Sequence, residues 1–254
     1  MDICGQVEIV ILAGGKGSRM RSDVPKVLHT VAGIPMLKKV VDATFPLCGI
    51  PNVVVGPNKQ AIVSLLGATV RYVDQAEPLG TGDGLIKAVS GLSGSSARTI
   101  VVLVGDQPFV NTDTLKKLIA FHEHSEAVTT LGIARIPKFA GVFSVCRNYS
   151  RVICDKYGRV KKIVEWKSAT EEERSITDVS MSYHVFDLGW LREHLFELTP
   201  NTVTGEYQLT EYINLALRHG DSVAGYHIDD PIEALGANTP EELEVLKKIA
   251  ISGR

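Results

Sequence analysis

The sequence predicts an α/β fold: a Rossmann-like, doubly wound sheet, mixed but mostly parallel, with a small β-rich subdomain. Three observations predict it. Residues 9–12 (Ile-Val-Ile-Leu) and 99–104 (Thr-Ile-Val-Val-Leu-Val) are continuous apolar runs, the pattern of strands buried on both faces of a parallel sheet. Up to about residue 125 such strands alternate with segments of helical periodicity, which is how βαβ units read. After that point the pattern shifts to alternating strands and a hairpin.

Taken in order, the first strand runs into Ala13-Gly14-Gly15-Lys16-Gly17-Ser18-Arg19, with Arg21 and Pro25-Lys26 following. Small residues turn tightly, and glycines let backbone N–H groups approach an anion. A strand feeding such a loop, with Lys and Arg upon it, suits a polyphosphate. It is not a dinucleotide fingerprint, because Met20 stands where the third glycine belongs, and no Walker run G-x-x-x-x-G-K-[ST] exists. Pro35 fits the first position of a helix through residues 36–41. Residues 52–56 read as a strand, 59–66 as a helix, 70–73 as a strand, 81–92 as a helix and 91–96 as a flexible surface loop. Asn111-Thr112-Asp113 offers capping oxygens to a helix running through Phe121. In the second half, 127–136 is a strand, 151–154 and 160–164 form a hairpin about a 156–159 turn, and 178–186 is a further strand. Residues 206–218 read as a helix, 223–228 as a strand, and 239–249 as a closing helix capped by Thr239 with Pro240 at its first position.

The chain has 254 residues, enough for one large α/β domain or two small ones, with 44% hydrophobic and 22% charged residues. Its net charge of −2 argues against a broad nucleic-acid surface, so the positive charge is local and suits a small anionic ligand. Cys4, Cys48, Cys146 and Cys154 make no C-x-x-C and read as thiols in a reducing compartment. The N-terminus lacks the features of a signal peptide, and no apolar run reaches membrane-spanning length. A cytoplasmic protein without a membrane partner is expected. His122 and His124 lie two apart on a helix and cannot share a face, which argues against a zinc site. No Ser-His-Asp or Cys-His constellation is legible.

The chemistry concentrates at a few positions. Asp106, in Val104-Gly105-Asp106-Gln107-Pro108, follows the buried strand directly. Open α/β sheets bind ligands at the carboxyl ends of strands. A carboxylate there is a natural magnesium ligand, although Gly-Asp-x-Pro is also an ordinary turn. Thr81 opens a helix, whose N–H groups favour anions. Gln75 carries an amide that can donate and accept, as reading the edge of a base requires. Asn238, on its own, reads as a residue before a helix.

Leu12-Ala13-Gly14-Gly15-Lys16-Gly17-Ser18-Arg19-Met20 and Pro25-Lys26 resemble the signature of sugar-1-phosphate nucleotidylyltransferases. Within that family the match is nearest to the N-acetylglucosamine-1-phosphate uridylyltransferases, the first half of a bifunctional enzyme. Gln75-Ala76-Glu77-Pro78-Leu79-Gly80-Thr81-Gly82, Ile163-Val164-Glu165 and Gly205-Glu206-Tyr207-Gln208-Leu209-Thr210 resemble further family segments. The resemblance implies the nucleotide-diphospho-sugar transferase fold and an enzyme of the nucleotidyltransferase type. It would transfer uridylyl from UTP to a sugar 1-phosphate, with Mg2+ as cofactor. It implies Leu12, Ala13, Gly14, Gly15, Lys26, Gln75, Gly80, Thr81 and Gly105 at the nucleotide; Arg19, Lys26 and Asp106 as catalytic groups; and Asp106 with Asn238 as metal ligands. Ser150, Glu165, Ser180, Glu206 and Tyr207 would touch the sugar.

Two family features are altered. Its Asn-Thr-Gly stands here as Ser180-Met181-Ser182, and its Tyr-Gly-Arg as Tyr149-Ser150-Arg151, after extra residues around 138–147. A shorter Ser and a bulkier Met change the expected pocket. Another sugar 1-phosphate, another base, or a catalytically silent sugar-nucleotide-binding homologue therefore remain open. So does the oligomeric state, a homo-oligomer included. The expected organisation is a single 1–254 domain: about 1–125 for the nucleotide, about 126–238 for the sugar and 239–254 as closing helix. The hexapeptide repeats of a C-terminal β-helix acyltransferase domain are absent from this sequence.

Overall fold

The computed structural model describes residues 5–156, 159–202 and 204–252. Its axis is β1 (Val7–Leu12), where Val10 and Ile11 are wholly enclosed. Strands β4 (Asn52–Val55) and β6 (Thr99–Val104) flank β1 in parallel, and β5 (Arg71–Asp74) extends the sheet beyond β4. Helices α1 (Met36–Cys48), α2 (Lys59–Leu66) and α3 (Thr81–Gly91) make the crossovers. Beyond β6 lies β10 (Asp178–Asp187), antiparallel to β6 on one side and to β7 (Thr129–Arg135) on the other. The edge strand β11 (Val223–His227) runs parallel to β7. The hairpin β8 (Arg151–Cys154) and β9 (Val160–Val164) joins through β10, completing a nine-stranded sheet. One sheet therefore spans both halves of the chain.

Two apolar layers cover the sheet. On one face α1, α4 (Thr112–Ser125) and α8 (Pro240–Ile251) pack with the odd-numbered side chains of β1. On the other, α3, α6 (Leu188–Glu193) and α7 (Glu211–His219) pack with Val10 and Leu12. A deletion such as Leu103→Ala, at a position 1% exposed, would remove about 2–5 kcal/mol of stability.

The helix ends follow their local chemistry. The Asn111 side chain accepts from the Asp113 N–H, and Thr239 from that of Glu242, with Pro240 first in α8. Several expectations need correction. Pro35 does not open α1. It pairs with Thr30 in a small ladder of β2 (Thr30–Val31) and β3 (Ile34–Pro35), and α1 begins at Met36 and continues through Pro46. Helix α4 runs four residues past Phe121. The 91–96 connection is tied down rather than loose: Ser95 Oγ donates to Glu8 Oε1 at 2.7 Å, and Arg192 donates to the carbonyls of Leu92 and Ser95. Residues 206–210 are not helical. The Tyr207 N–H donates to Leu79 O and its carbonyl accepts from Gly82 N, each at 2.8 Å, so the backbone is engaged before α7 begins. The hairpin forms as expected, but Tyr157 and Gly158 of its turn lie outside the described residues. A 3-10 segment (Gly141–Asn148), the short α5 (Glu171–Ser175) and α6 were not anticipated. Cys146 and Cys154 are free thiols; Cys4 lies outside the described residues. Among the described residues no helix is long and apolar enough to cross a membrane.

Candidate functional site

The register of the sheet assembles the site. Leu12 sits beside Val104 in the β1–β6 ladder, so the turns that follow the two strands leave the sheet at one edge. They open into a cleft of about 640 Å³. It sits at the carboxyl ends of parallel strands, the usual ligand position in open α/β sheets.

Four predicted residues meet there. Lys26 Nζ donates to Asp106 Oδ2 in a short ion pair and to Asn238 Oδ1 at 3.0 Å. Arg19 donates to the same Asn238 oxygen at 3.1 Å. Two backbone features make this meeting possible. Gly17 holds φ +62°, and a Cβ there would fall 2.7 Å from Lys26 Cβ, so a larger residue would push Lys26 away. Gly236 lies where a Cβ would stand 2.9 Å from Asp106 O, which lets Ala237 N donate to that carbonyl at 3.2 Å. The next residue, Asn238, is thereby held beside Asp106, its own N–H bound by Glu242 at 2.6 Å. Tyr149 OH accepts from Gly236 N at 3.0 Å and fastens the same turn.

The fit of this pair to a divalent ion can be tested on its donors. A carboxylate oxygen and an amide oxygen from distant segments converge on one cationic atom, the Lys26 ammonium. That is a hard-oxygen donor pair aimed at positive charge, as magnesium requires beside substrate phosphates. The residues fit.

At the opposite side of the Gly14 turn, Gln75 is 4% exposed and hydrogen-bonded. Its Nε2 donates to Gly80 O at 2.9 Å and to Asp83 Oδ2 at 2.8 Å. A carboxylate accepts only, so Asp83 fixes which way the amide faces. Both amide hydrogens are thus engaged within the protein, and the carbonyl Oε1 lies against Gly14. The expectation that Gln75 both donates and accepts is corrected: it presents an acceptor.

Leu12, Ala13, Gly14, Gly15, Gly80, Thr81, Ser150, Glu165, Ser180 and Glu206 also line the cleft. Glu165 Oε1 accepts from Thr210 Oγ1 at 2.8 Å, and Ser150 O accepts from Ser180 N at 3.0 Å. Gly105 and Tyr207 do not line it. Gly105 packs against Leu37 and Val27, and Tyr207 packs on the apolar layer beside α3. The Ser180-Met181-Ser182 triplet also reads differently in three dimensions. Strand alternation turns Ser180, Ser182 and His184 to the cleft, while Met181, 0% exposed, points into the opposite apolar layer. Met181 therefore does not reshape the pocket.

Gln107, Ser182 and His184 are cleft residues that the sequence did not single out. For the last two, strand parity counted from Ser180 would have found them. Arg151 is fully enclosed and has no carboxylate partner among the described residues: its guanidinium lies 4.4 Å from the Phe139 ring centroid and 4.7 Å from that of Trp166, and it donates to the carbonyls of Tyr149, Arg147 and Arg174. It shapes the backbone that carries Ser150. Burial pushes its pKa down to about 10. His122 is buried against Thr130 Oγ1 and does not meet His124, as the helix spacing requires. Away from the cleft, polar atoms of His194, His219 and Asp221 lie within 4.8 Å of one another, which sequence spacing did not reveal. Glu197 already pairs with both rings and Trp190 with Asp221.

A mostly parallel sheet with a glycine-rich turn after a central strand, and a clustered Lys, Asp and Asn at the carboxyl ends of its strands, is the arrangement of a nucleotide-binding α/β domain. The chain belongs to the MobA-like NTP transferase domain family, whose model matches residues 9–150. It is 38% identical over 231 residues to the bifunctional protein GlmU of Halalkalibacterium halodurans, covering 90% of this chain and 49% of that one. It is 37% identical over 241 residues to GlmU of Enterococcus faecalis, covering 94% and 51%. The chain thus spans about half the length of the curated relatives it matches. A solved UDP-glucose pyrophosphorylase complexed with UDP-glucose shares the fold, with TM-score 0.73, 14% identity and coverage of 97% and 99%.

Proposed function

We propose that this chain transfers a nucleotidyl group, uridylyl from UTP, to a sugar 1-phosphate, with N-acetylglucosamine 1-phosphate the first substrate to try. The products are the UDP-sugar and pyrophosphate. The observation that carries the reading is the convergence of Asp106 and Asn238 on Lys26 beside the Gly14–Gly17 turn. The likeness to the GlmU proteins over 90% of this chain supports it.

In the proposed reaction a phosphate oxygen of the sugar phosphate attacks the α-phosphorus in line. A new P–O bond forms, the α–β bridging P–O bond breaks, and pyrophosphate leaves with its electron pair. The nucleophile is already anionic, so no general base is needed. The protein must hold two repelling anions together and spread the developing charge. Arg19 and Lys26 do this at the phosphates, while the turn at Leu12, Ala13, Gly14 and Gly15 takes the nucleotide. Gln75 offers Oε1 to the N3–H of uracil, an edge that cytosine lacks. Glu165 and Ser150 face the sugar. Asp106 and Asn238 would hold Mg2+, which supplies neutralising charge to the phosphates when bound.

Residues 1–125 are proposed as the nucleotide half, 126–238 as the sugar half and 239–254 as the closing helix, acting inside the cell on small molecules. The test is pyrophosphate release from UTP with Mg2+ and a panel of sugar 1-phosphates. Release that depends on the sugar phosphate supports the reading. UTP binding with no turnover on any sugar phosphate or triphosphate refutes it, and favours a silent binding homologue.

A further inference from the structure

The polar atoms at the two ends of the cleft are treated differently. Near Lys26 the side chains of Arg19, Lys26, Asp106 and Asn238 are paired with one another. On the β10 side Ser180 Oγ and His184 Nδ1 are buried without a hydrogen-bond partner. Both residues line the cleft, and they are 6% and 1% exposed. A buried polar atom left unpaired is unfavourable, and a site that leaves two together is poised for a polar ligand.

Their placement is not accidental. Ser180, Ser182 and His184 alternate along one face of β10, the antiparallel strand inserted between β6 and β7. The pairing with β7 shifts register between Ser180 and His184, and Ser182 sits in that shift with φ +57°. A non-glycine residue in this left-handed region is uncommon, and strain of this kind gathers at functional sites. His184 is set among Val102, Leu131 and Phe186, with the Phe186 ring stacked 6.1 Å away, and burial pushes its pKa down to about 4. The imidazole is therefore neutral. A neutral ring nitrogen either donates or accepts, according to tautomer. A sugar hydroxyl does both, so it pairs with Nδ1 in either tautomer; a methyl group pairs in neither.

We propose that His184 and Ser180 form a hydroxyl-reading strip that selects the sugar 1-phosphate by a free hydroxyl on the ring edge facing β10. The inference rests on the nucleotidyl-transfer reading above and deepens it. Specificity for the sugar then resides in a residue outside the motifs by which the sequence was recognised. Hydroxyl recognition by buried polar groups discriminates strongly, because the analogue lacking the hydroxyl leaves them unpaired.

The experiment is a panel of singly deoxygenated hexose 1-phosphates with the wild type, His184→Leu and Ser180→Ala, each variant first checked for native circular dichroism. Wild-type KM should rise about 10- to 100-fold for one deoxy position. His184→Leu should raise KM for the parent sugar by a similar factor, lose the extra penalty for that deoxy analogue, and bind UTP unchanged. Parent KM within twofold of wild type in both variants, or the same deoxy penalties in wild type and variants, would overturn the strip. Absence of turnover by the wild type refutes nucleotidyl transfer instead. The strip is then judged by calorimetry with the same sugar phosphates: deoxy-sensitive binding that His184→Leu abolishes supports it, and binding that neither change affects overturns it.

Discussion

The phosphate end of the cleft and its β10 end are built on opposite principles. At the first, Arg19, Lys26, Asp106 and Asn238 form one connected cluster. At the second, Ser180 and His184 each keep a buried atom unpaired. The first end is preorganised, because its charges neutralise one another and hold their positions before a ligand arrives. The second is incomplete, and a ligand's hydroxyls would complete it. Preorganised charge serves transition-state stabilisation, while unpaired neutral groups serve discrimination.

The largest expected effect comes from breaking the preorganised end. Lys26→Ala and Asp106→Ala should each lower kcat by about 10²–10³-fold with the fold retained, as removal of one charge-stabilising group does elsewhere. Near-normal pyrophosphate release in both would remove the contrast between the two ends.

Next in size is the anchor beneath the Gly236–Asn238 turn. Glu233 lies just before Gly236, accepts from Thr114 Oγ1 at 2.7 Å and from Asn111 N at 3.2 Å, and burial raises its pKa from 4.5 to about 7. Between those values the folded protein holds a proton that the unfolded chain has released, so stability falls as pH rises from 4.5 to 7. The loss is on the order of 3 kcal/mol. Glu233→Gln should be more stable than wild type at pH 8 by about that amount and nearly equal at pH 4.5, read by urea melts. An unchanged pH profile would contradict it. His122 and His184 oppose this trend, since burial pushes both from 6.5 to about 4 and charging them costs stability as pH falls through that window.

Smaller again is base selection. Asp83 holds the Gln75 amide with its hydrogens turned inward. Asp83→Asn can accept or donate, which leaves only the Gly80 carbonyl to hold the Gln75 amide in this orientation, and the preference for UTP over CTP should fall by up to about tenfold. Unaltered selectivity would mean that the base is read elsewhere. Smallest is the strain at the β10 end. Ser182→Gly should raise stability by about 0.5 kcal/mol, because glycine accepts φ +57° without a Cβ clash but loses more entropy on folding. A fall in melting temperature would show that the Ser182 side chain stabilises the turn.

The preorganised end was legible in the sequence because its signals are local. A buried strand, small turning residues and Pro25-Lys26 sit within one short stretch, and Asp106 stands directly after another buried strand. Pairing Asp106 with Asn238 needed the family resemblance, since the close approach of Gly236 to Asp106 O is a tertiary fact. The β10 end was misread for a physical reason. Ser180-Met181-Ser182 was treated as one unit, whereas a strand sends alternate side chains to opposite faces. Residues 206–210 were read as helix from their periodicity, but pairing of the Tyr207 backbone with Leu79 and Gly82 prevailed over it. Gly105 and Tyr207 neighbour cleft residues in sequence but do not themselves line the cleft.

The central claim is that the turn after β1 holds a triphosphate beside a divalent ion shared by Asp106 and Asn238. A crystal soaked with UTP and Mn2+, whose anomalous signal locates the metal, tests it most directly. The account predicts one metal peak bound by Asp106 and Asn238, with Lys26 shifted onto the phosphates of a nucleotide lying along Gly14 and Gly15. Ordered UTP elsewhere, or metal bound with neither of those oxygens as a ligand, would contradict it.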